Sequence, residues 1–186
     1  MNRKHGVAVL AASLFAAELA VAAKDDSAAK RAFSEAAPVF FHPRCMNCHP
    51  VGDRPLQGDQ SLPHAMNVQR GKDGLGRPGM RCTSCHQTEN LPGVHMPPGA
   101  PNWHLTHPKT PMVFEKTSVG DLCRQLKDPA RNGGKTVAQI VEHVSHDKLV
   151  LWGWHPGDGR NPVSMPHPEF AQKMAEWEKN GAACPD

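Results

Sequence analysis

The chain has no tyrosine, and only six phenylalanines and four tryptophans among 186 residues. So little aromatic surface, set among loops, makes a large side-chain core hard to build, and small domains in that position lean on a cofactor, a metal or disulfides. Beyond the N-terminal region no apolar run approaches the roughly 20 residues needed to cross a bilayer. Basic residues form no dense block and the net charge is only +3, which excludes the electrostatic footprint of a nucleic-acid binder. The glycines between Gly71 and Gly76 lack both the Lys-Ser/Thr ending and the preceding strand of a phosphate loop, which excludes a nucleotide site of that kind. What is abundant is turn chemistry, with 18 prolines and 16 glycines, and soft or nitrogenous ligands, with 12 histidines, eight methionines and six cysteines.

Four of the cysteines fall into two five-residue stretches, Cys45-Met46-Asn47-Cys48-His49 and Cys82-Thr83-Ser84-Cys85-His86. C-x-x-C-H is the attachment pattern of a c-type haem. Two thiols one turn apart reach the two vinyl groups on one edge of a porphyrin and form thioethers. The following histidine then presents its imidazole to the iron. Zinc half-sites and redox dithiols share the C-x-x-C spacing, but two copies that both end in histidine favour two haem c groups. His49 and His86 are the expected proximal ligands. Two large apolar discs would also supply the core that the side chains lack, so the haems are expected to form it and the chain without them to be poorly folded.

Residues 1–23 read as a secretory signal peptide. Arg3, Lys4 and His5 are followed by an apolar stretch from Gly6 to Ala17 and by small-x-small cleavage signals near residues 22 and 23. Residues 24–186 are then one exported domain with no membrane span, and haem attachment outside the cytoplasm points to a bacterial periplasm. In that oxidising compartment the two remaining cysteines, Cys123 and Cys184, are expected to pair as a disulfide.

The rest of the chain reads as mainly α with extensive irregular loops and little or no β-sheet. A short helix over 24–37 ends at Pro38. A long Pro/Gly-punctuated segment over 50–80 holds at most a short helix near His64 to Arg70. A second Pro-rich stretch covers 91–112. Ser118 caps a helix to about Lys127. Thr136 and Gln139 form a capping box, followed by Val137, Ile140, Val141 and Val144 at helical spacing. A last helix from about Pro168 to Lys179 stops at Gly181.

The sixth ligand of each iron decides function. Two protein ligands make an electron carrier, whereas an open position makes a small-molecule site. The wealth of histidine favours bis-histidine ligation. His64, at the start of its short segment, and His143, at the edge of a buried helix face, are the expected distal ligands. His95 with Met96, and His104 or His107 beside Trp103, are the alternatives.

The paired motifs resemble those of small periplasmic dihaem c-type cytochromes. Further stretches extend the likeness over nearly all of the mature chain: Arg44 to Pro50, Pro97-Pro98-Gly99 with Trp103, Arg131-Asn132-Gly133, His143 with Asp147, and Trp152-Gly153-Trp154 with Pro156-Gly157. In these the chain is similar to the cytochrome-like subunit associated with isoquinoline 1-oxidoreductase-type molybdenum hydroxylases. The resemblance implies an electron acceptor for a periplasmic redox enzyme such as a molybdenum hydroxylase, delivering to a respiratory cytochrome or oxidase. The expectation is therefore an electron-transfer protein and not an enzyme. The rival is a small haem enzyme or ligand-binding cytochrome, a peroxidase or nitric-oxide handler, with one open iron.

Overall fold

The structure, a computed structural model, describes residues 24–186; the signal peptide expected over 1–23 lies outside the described residues. It divides into a helical half and a loop half. The helical half consists of α1 (Asp26–Phe41), α3 (Val119–Lys127), α4 (Val137–His146) and α6 (His167–Lys179), with the one-turn helices α2 (Pro43–Met46) and α5 (Lys148–Leu151) at its margin. The loop half covers 47–118. It contains only two small antiparallel pairs, β1 (Leu56–Gln57) with β2 (Leu62–Pro63), and β3 (Gly76–Arg77) with β4 (Met80–Arg81). The chain is thus mainly α with very little sheet. Among the described residues no helix is long and apolar enough to cross a membrane.

The helices begin where the sequence supplies caps. The Asp25 carboxylate accepts from the amides of Ser27 and Ala28. Thr136 and Gln139 make both bonds of a capping box, which satisfies two donors that the first turn otherwise leaves open. Ser118 caps α3 by accepting from the Asp121 amide, but its hydroxyl donates to the Asp121 carboxylate, so the reciprocal bond to the backbone is not made. After α6, Gly181 takes a φ of +93°. Its amide reaches Glu178 and that of Ala182 reaches Trp177, the paired closure for which a glycine is suited.

Two elements differ from the sequence reading. Pro38 does not end α1, which runs on to Phe41 with the proline inside it. A proline there forfeits one backbone bond, but it lies in the last turn, where Val39 and Phe40 are buried and hold that turn against the core. The segment after His64 is a single tight turn over Ala65–Asn67, because Met66 and Asn67 both take left-handed φ values, 58° and 52°, that a longer helix does not allow.

The helical half also builds its own core, contrary to the expectation that the haems alone would supply one. Alanines 29, 32, 36 and 37 bring α1 close to α6, its most extensive partner. Phe33 meets Trp177 at 5.0 Å and Phe40 meets Phe170 at 5.4 Å. Full burial of such a side chain contributes about 1.5–3 kcal/mol. Alanines on α1 let its own Phe33 and Phe40 come against the large residues of α6, which explains how so few aromatics suffice. In contrast, the buried apolar cluster takes no residue from 42–113.

Cys123 on α3 and Cys184 beyond α6 form the expected disulfide, with Cα atoms 5.6 Å apart and a sequence separation of 61. Asn132 braces the α3–α4 connection. It is buried, its amide donates to Leu126 and Lys135 carbonyls, and its oxygen accepts from the Lys135 amide. Closing a loop of this length constrains the unfolded chain, so Cys123→Ser with Cys184→Ser should lower stability by about 2–4 kcal/mol. Urea unfolding of the double variant beside the parent measures it; coincident curves would show the cross-link to be energetically neutral.

Candidate cofactor site

The two C-x-x-C-H stretches fold alike despite unlike flanks. In each, the second cysteine amide bonds back to the first cysteine carbonyl at 3.2 Å, and the histidine amide bonds into the same turn at 2.9 Å. Both cysteine pairs are free thiols, and each turn brings its two thiols and its imidazole to one end of the motif.

The histidines are held by the same pair of contacts. His49 Nδ1 lies 2.7 Å from the Met112 carbonyl, and the ring stacks on Phe114 at 3.9 Å and 13°. His86 Nδ1 lies 2.7 Å from the Pro98 carbonyl, and the ring stacks on Trp103 at 4.3 Å and 3°. A carbonyl only accepts, so each Nδ1 carries the proton and each Nε2 keeps its lone pair. An imidazole fixed through one nitrogen and open at the other is the arrangement of a metal-ligating histidine. Burial holds His49 down at about 4, and it lowers His86 as well, so both stay neutral and able to ligate at neutral pH. Met112 accepts the His49 bond from a left-handed backbone, φ 45°. That conformation costs of order 1 kcal/mol and is characteristic of functional sites.

His64 comes to His86. The two ring centres are 6.2 Å apart, with planes at 67°. His64 Nδ1 also faces a carbonyl, that of Ala65, at 2.9 Å, which leaves its Nε2 open. With metal–nitrogen bonds of about 2 Å on each side, two imidazoles on opposite faces of one atom have centres roughly 6 Å apart. The left-handed pair Met66 and Asn67 makes the sharp turn directly after His64.

The first motif opens into a cleft of about 390 Å³. Cys45, Cys48 and His49 form one wall, and Phe40, Phe114 and Ile140 supply apolar floor. His143 lines the cleft from α4. It is half-buried, and its Nδ1 is 3.5 Å from Asp147, the residue that also caps α5. Burial lowers its pKa. His104 lines the same cleft, with Nδ1 on the Asn102 carbonyl. Both lie within electrostatic reach of His49.

Desolvation pushes the Cys45 thiol up to about 12 and Cys48 up to about 11. Cys48 feels Cys82, which brings the two motifs within electrostatic reach of each other. Cys82 is also raised by burial, whereas Cys85 is exposed.

These residues fit two covalently attached haems better than a bare metal. Among the described residues no group of three or more His, Cys, Asp or Glu side chains gathers to hold an ion, as a four-ligand zinc site requires. A porphyrin supplies four nitrogens of its own and asks the chain only for axial imidazoles. Among the described residues the exposed large apolar side chains are Val51, Leu62, Met66, Leu75, Val94 and Met96. All fall in the loop half.

Sequence reasoning named the motif cysteines, His49, His86, His64 and His143. It missed the Met112 and Pro98 carbonyls, for which no residue-type signal exists. It also missed Asn90, whose side chain takes the Gly99 amide and the Trp152 indole at 3.0 Å each and donates to the His155 carbonyl at 2.7 Å. This ties the second motif's loop to the Trp152–Trp154 turn. Gly99 sits so close to the Glu89 carbonyl that a side chain would collide with it. The chain matches no protein-family model, no curated protein and no solved structure.

The thiol environments predict an order of reactivity. In the chain produced without haem, iodoacetamide at pH 8 should label Cys85 well before Cys45 and Cys48, because only thiolates react. Urea should erase the difference. Peptide mass spectrometry over a time course checks this, and equal native rates would mean that the cleft is not formed without its cofactor.

Proposed function

We propose that the chain is an electron-transfer protein with two covalently attached c-type haems, one on Cys45 and Cys48 with His49 and one on Cys82 and Cys85 with His86. The observation that carries the reading is the repeated imidazole geometry, above all the facing pair His64 and His86 at 6.2 Å. The bound groups would supply one-electron chemistry.

The chain's own residues do the rest. Met112 and Pro98 fix the tautomer and plane of the two proximal imidazoles. Phe114 and Trp103 hold those rings flat, and the apolar floor of the cleft excludes water from the first. His64 and His86 together would hold the second group, and two imidazoles held by the chain would suit one-electron transfer better than substrate binding.

At His49 the distal ligand is His143, with His104 as the competing donor in the same cleft. The width of that cleft and the partial exposure of His143 support a second reading for this site alone, a small-molecule position next to an otherwise transferring protein. The signal-like N-terminus and the chemistry of haem attachment support a periplasmic location. The resemblance to a molybdenum-hydroxylase subunit supports a periplasmic redox enzyme as donor and a respiratory cytochrome or oxidase as acceptor.

Intact mass of protein exported in a host that attaches haem c should show two haems per chain. Absorption and magnetic spectra should show two low-spin sites. His64→Ala should turn one of them high-spin and reactive to carbon monoxide, and His143→Ala should do so to the other. Carbon monoxide binding to the unaltered reduced protein would favour the second reading at the first site. A chain of bare polypeptide mass would overturn the proposal.

A further inference from the structure

Arg44 stands immediately before the first motif, is 5% exposed and lines the same cleft as Cys45 and Cys48. Its Nη2 is paired with Asp59, and its guanidinium lies 5.9 Å from the centre of the Trp152 ring. Its Nε is buried and has no partner. An unmet buried donor costs about 1–3 kcal/mol and more when charged, so a site that keeps one open is built for something further.

Asp59 does not meet that donor: one of its oxygens accepts from Arg44 Nη2 and the other from the Asn161 side chain at 2.8 Å, and Nε is left without a partner. A second guanidinium, Arg160, lies within electrostatic reach of Arg44, Asp59 and His86. It is anchored by a 2.5 Å bond from Nη2 to the Met96 carbonyl. His42 also feels Arg44 and Asp59. Two guanidinium charges therefore lie near a single carboxylate. The group that best fits a guanidinium is a second carboxylate, which matches its planar fork of donors.

We propose that Arg44, supported by Arg160, binds a carboxylate in the cleft beside the first motif, and that this carboxylate is a propionate of the haem held by Cys45 and Cys48. The site rests on the cytochrome reading above.

The test uses the haem-loaded protein. A crystal structure should place a propionate oxygen within hydrogen-bond distance of Arg44 Nε; water, chloride, a free anion removable by dialysis, or a protein atom there would overturn the proposal. In solution, Arg44→Gln should move one of the two reduction potentials to a more negative value. Arg44→Lys, which keeps the charge, should restore part of the shift. Arg160→Gln, at a less buried position, should give a smaller shift of the same sign, and it serves where the Arg44 variants fail to fold. Two haems by mass with both potentials unmoved in Arg160→Gln and Arg44→Gln would remove the carboxylate site and leave the cytochrome reading standing. A parent chain without haem would remove both.

Discussion

A histidine that donates from Nδ1 to a carbonyl has no freedom left about which nitrogen is basic. That bond occurs at 2.7 Å in both motifs, from His49 to Met112 and from His86 to Pro98, and much of the surrounding architecture serves it. Phe114 and Trp103 lie flat on the two rings. The Met112 carbonyl is presented from a left-handed backbone, and Pro98 is placed by a loop that Asn90 bolts to the Trp152 turn. Without these acceptors the imidazoles would rotate, and neither C-x-x-C-H turn alone would fix where its histidine points.

The two halves of the molecule are stabilised differently. α1, α3, α4 and α6 bury a shared apolar cluster and are cross-linked by Cys123–Cys184. The loop half is held by polar bonds, above all those of Arg70. That residue is fully buried and donates to the carbonyls of Thr106 and Gly52 while pairing with Asp53. A guanidinium that donates to two backbone carbonyls gathers loops that take no part in the shared apolar cluster. The first motif sits at the seam, with its cleft floored by helical residues, and the second lies within the loop half. The two sites thus differ in shelter although their local geometry repeats.

The readable parts of the sequence were those governed by local rules. Thr136 with Gln139, Ser118 before α3 and Gly181 after α6 mark helix ends, because capping depends on neighbours within four residues. The motif turns were legible for the same reason, and the Cys123–Cys184 pair followed from an even remainder of thiols. Pro38 misled, because core packing by Val39 and Phe40 outweighed a single lost backbone bond. The self-sufficient helical core was missed because composition is averaged over the chain, whereas its alanines and aromatics are concentrated on the facing helices α1 and α6. His64 was legible as a candidate, but its approach to His86 depends on two left-handed residues that carry no sequence signature. The Met112 acceptor, 63 residues from His49, is a property of the fold alone.

The disulfide also imposes an order on biosynthesis. Cys184 is the last of the six cysteines in the sequence, so the four motif thiols are all made before the Cys123–Cys184 pair can close. Burial raises the Cys45 and Cys48 thiols, and disulfide exchange proceeds through the thiolate, so the folded first motif is the slower of the two to exchange. Cys85 is exposed and lacks that shelter, so the second motif carries the most accessible thiol among the four.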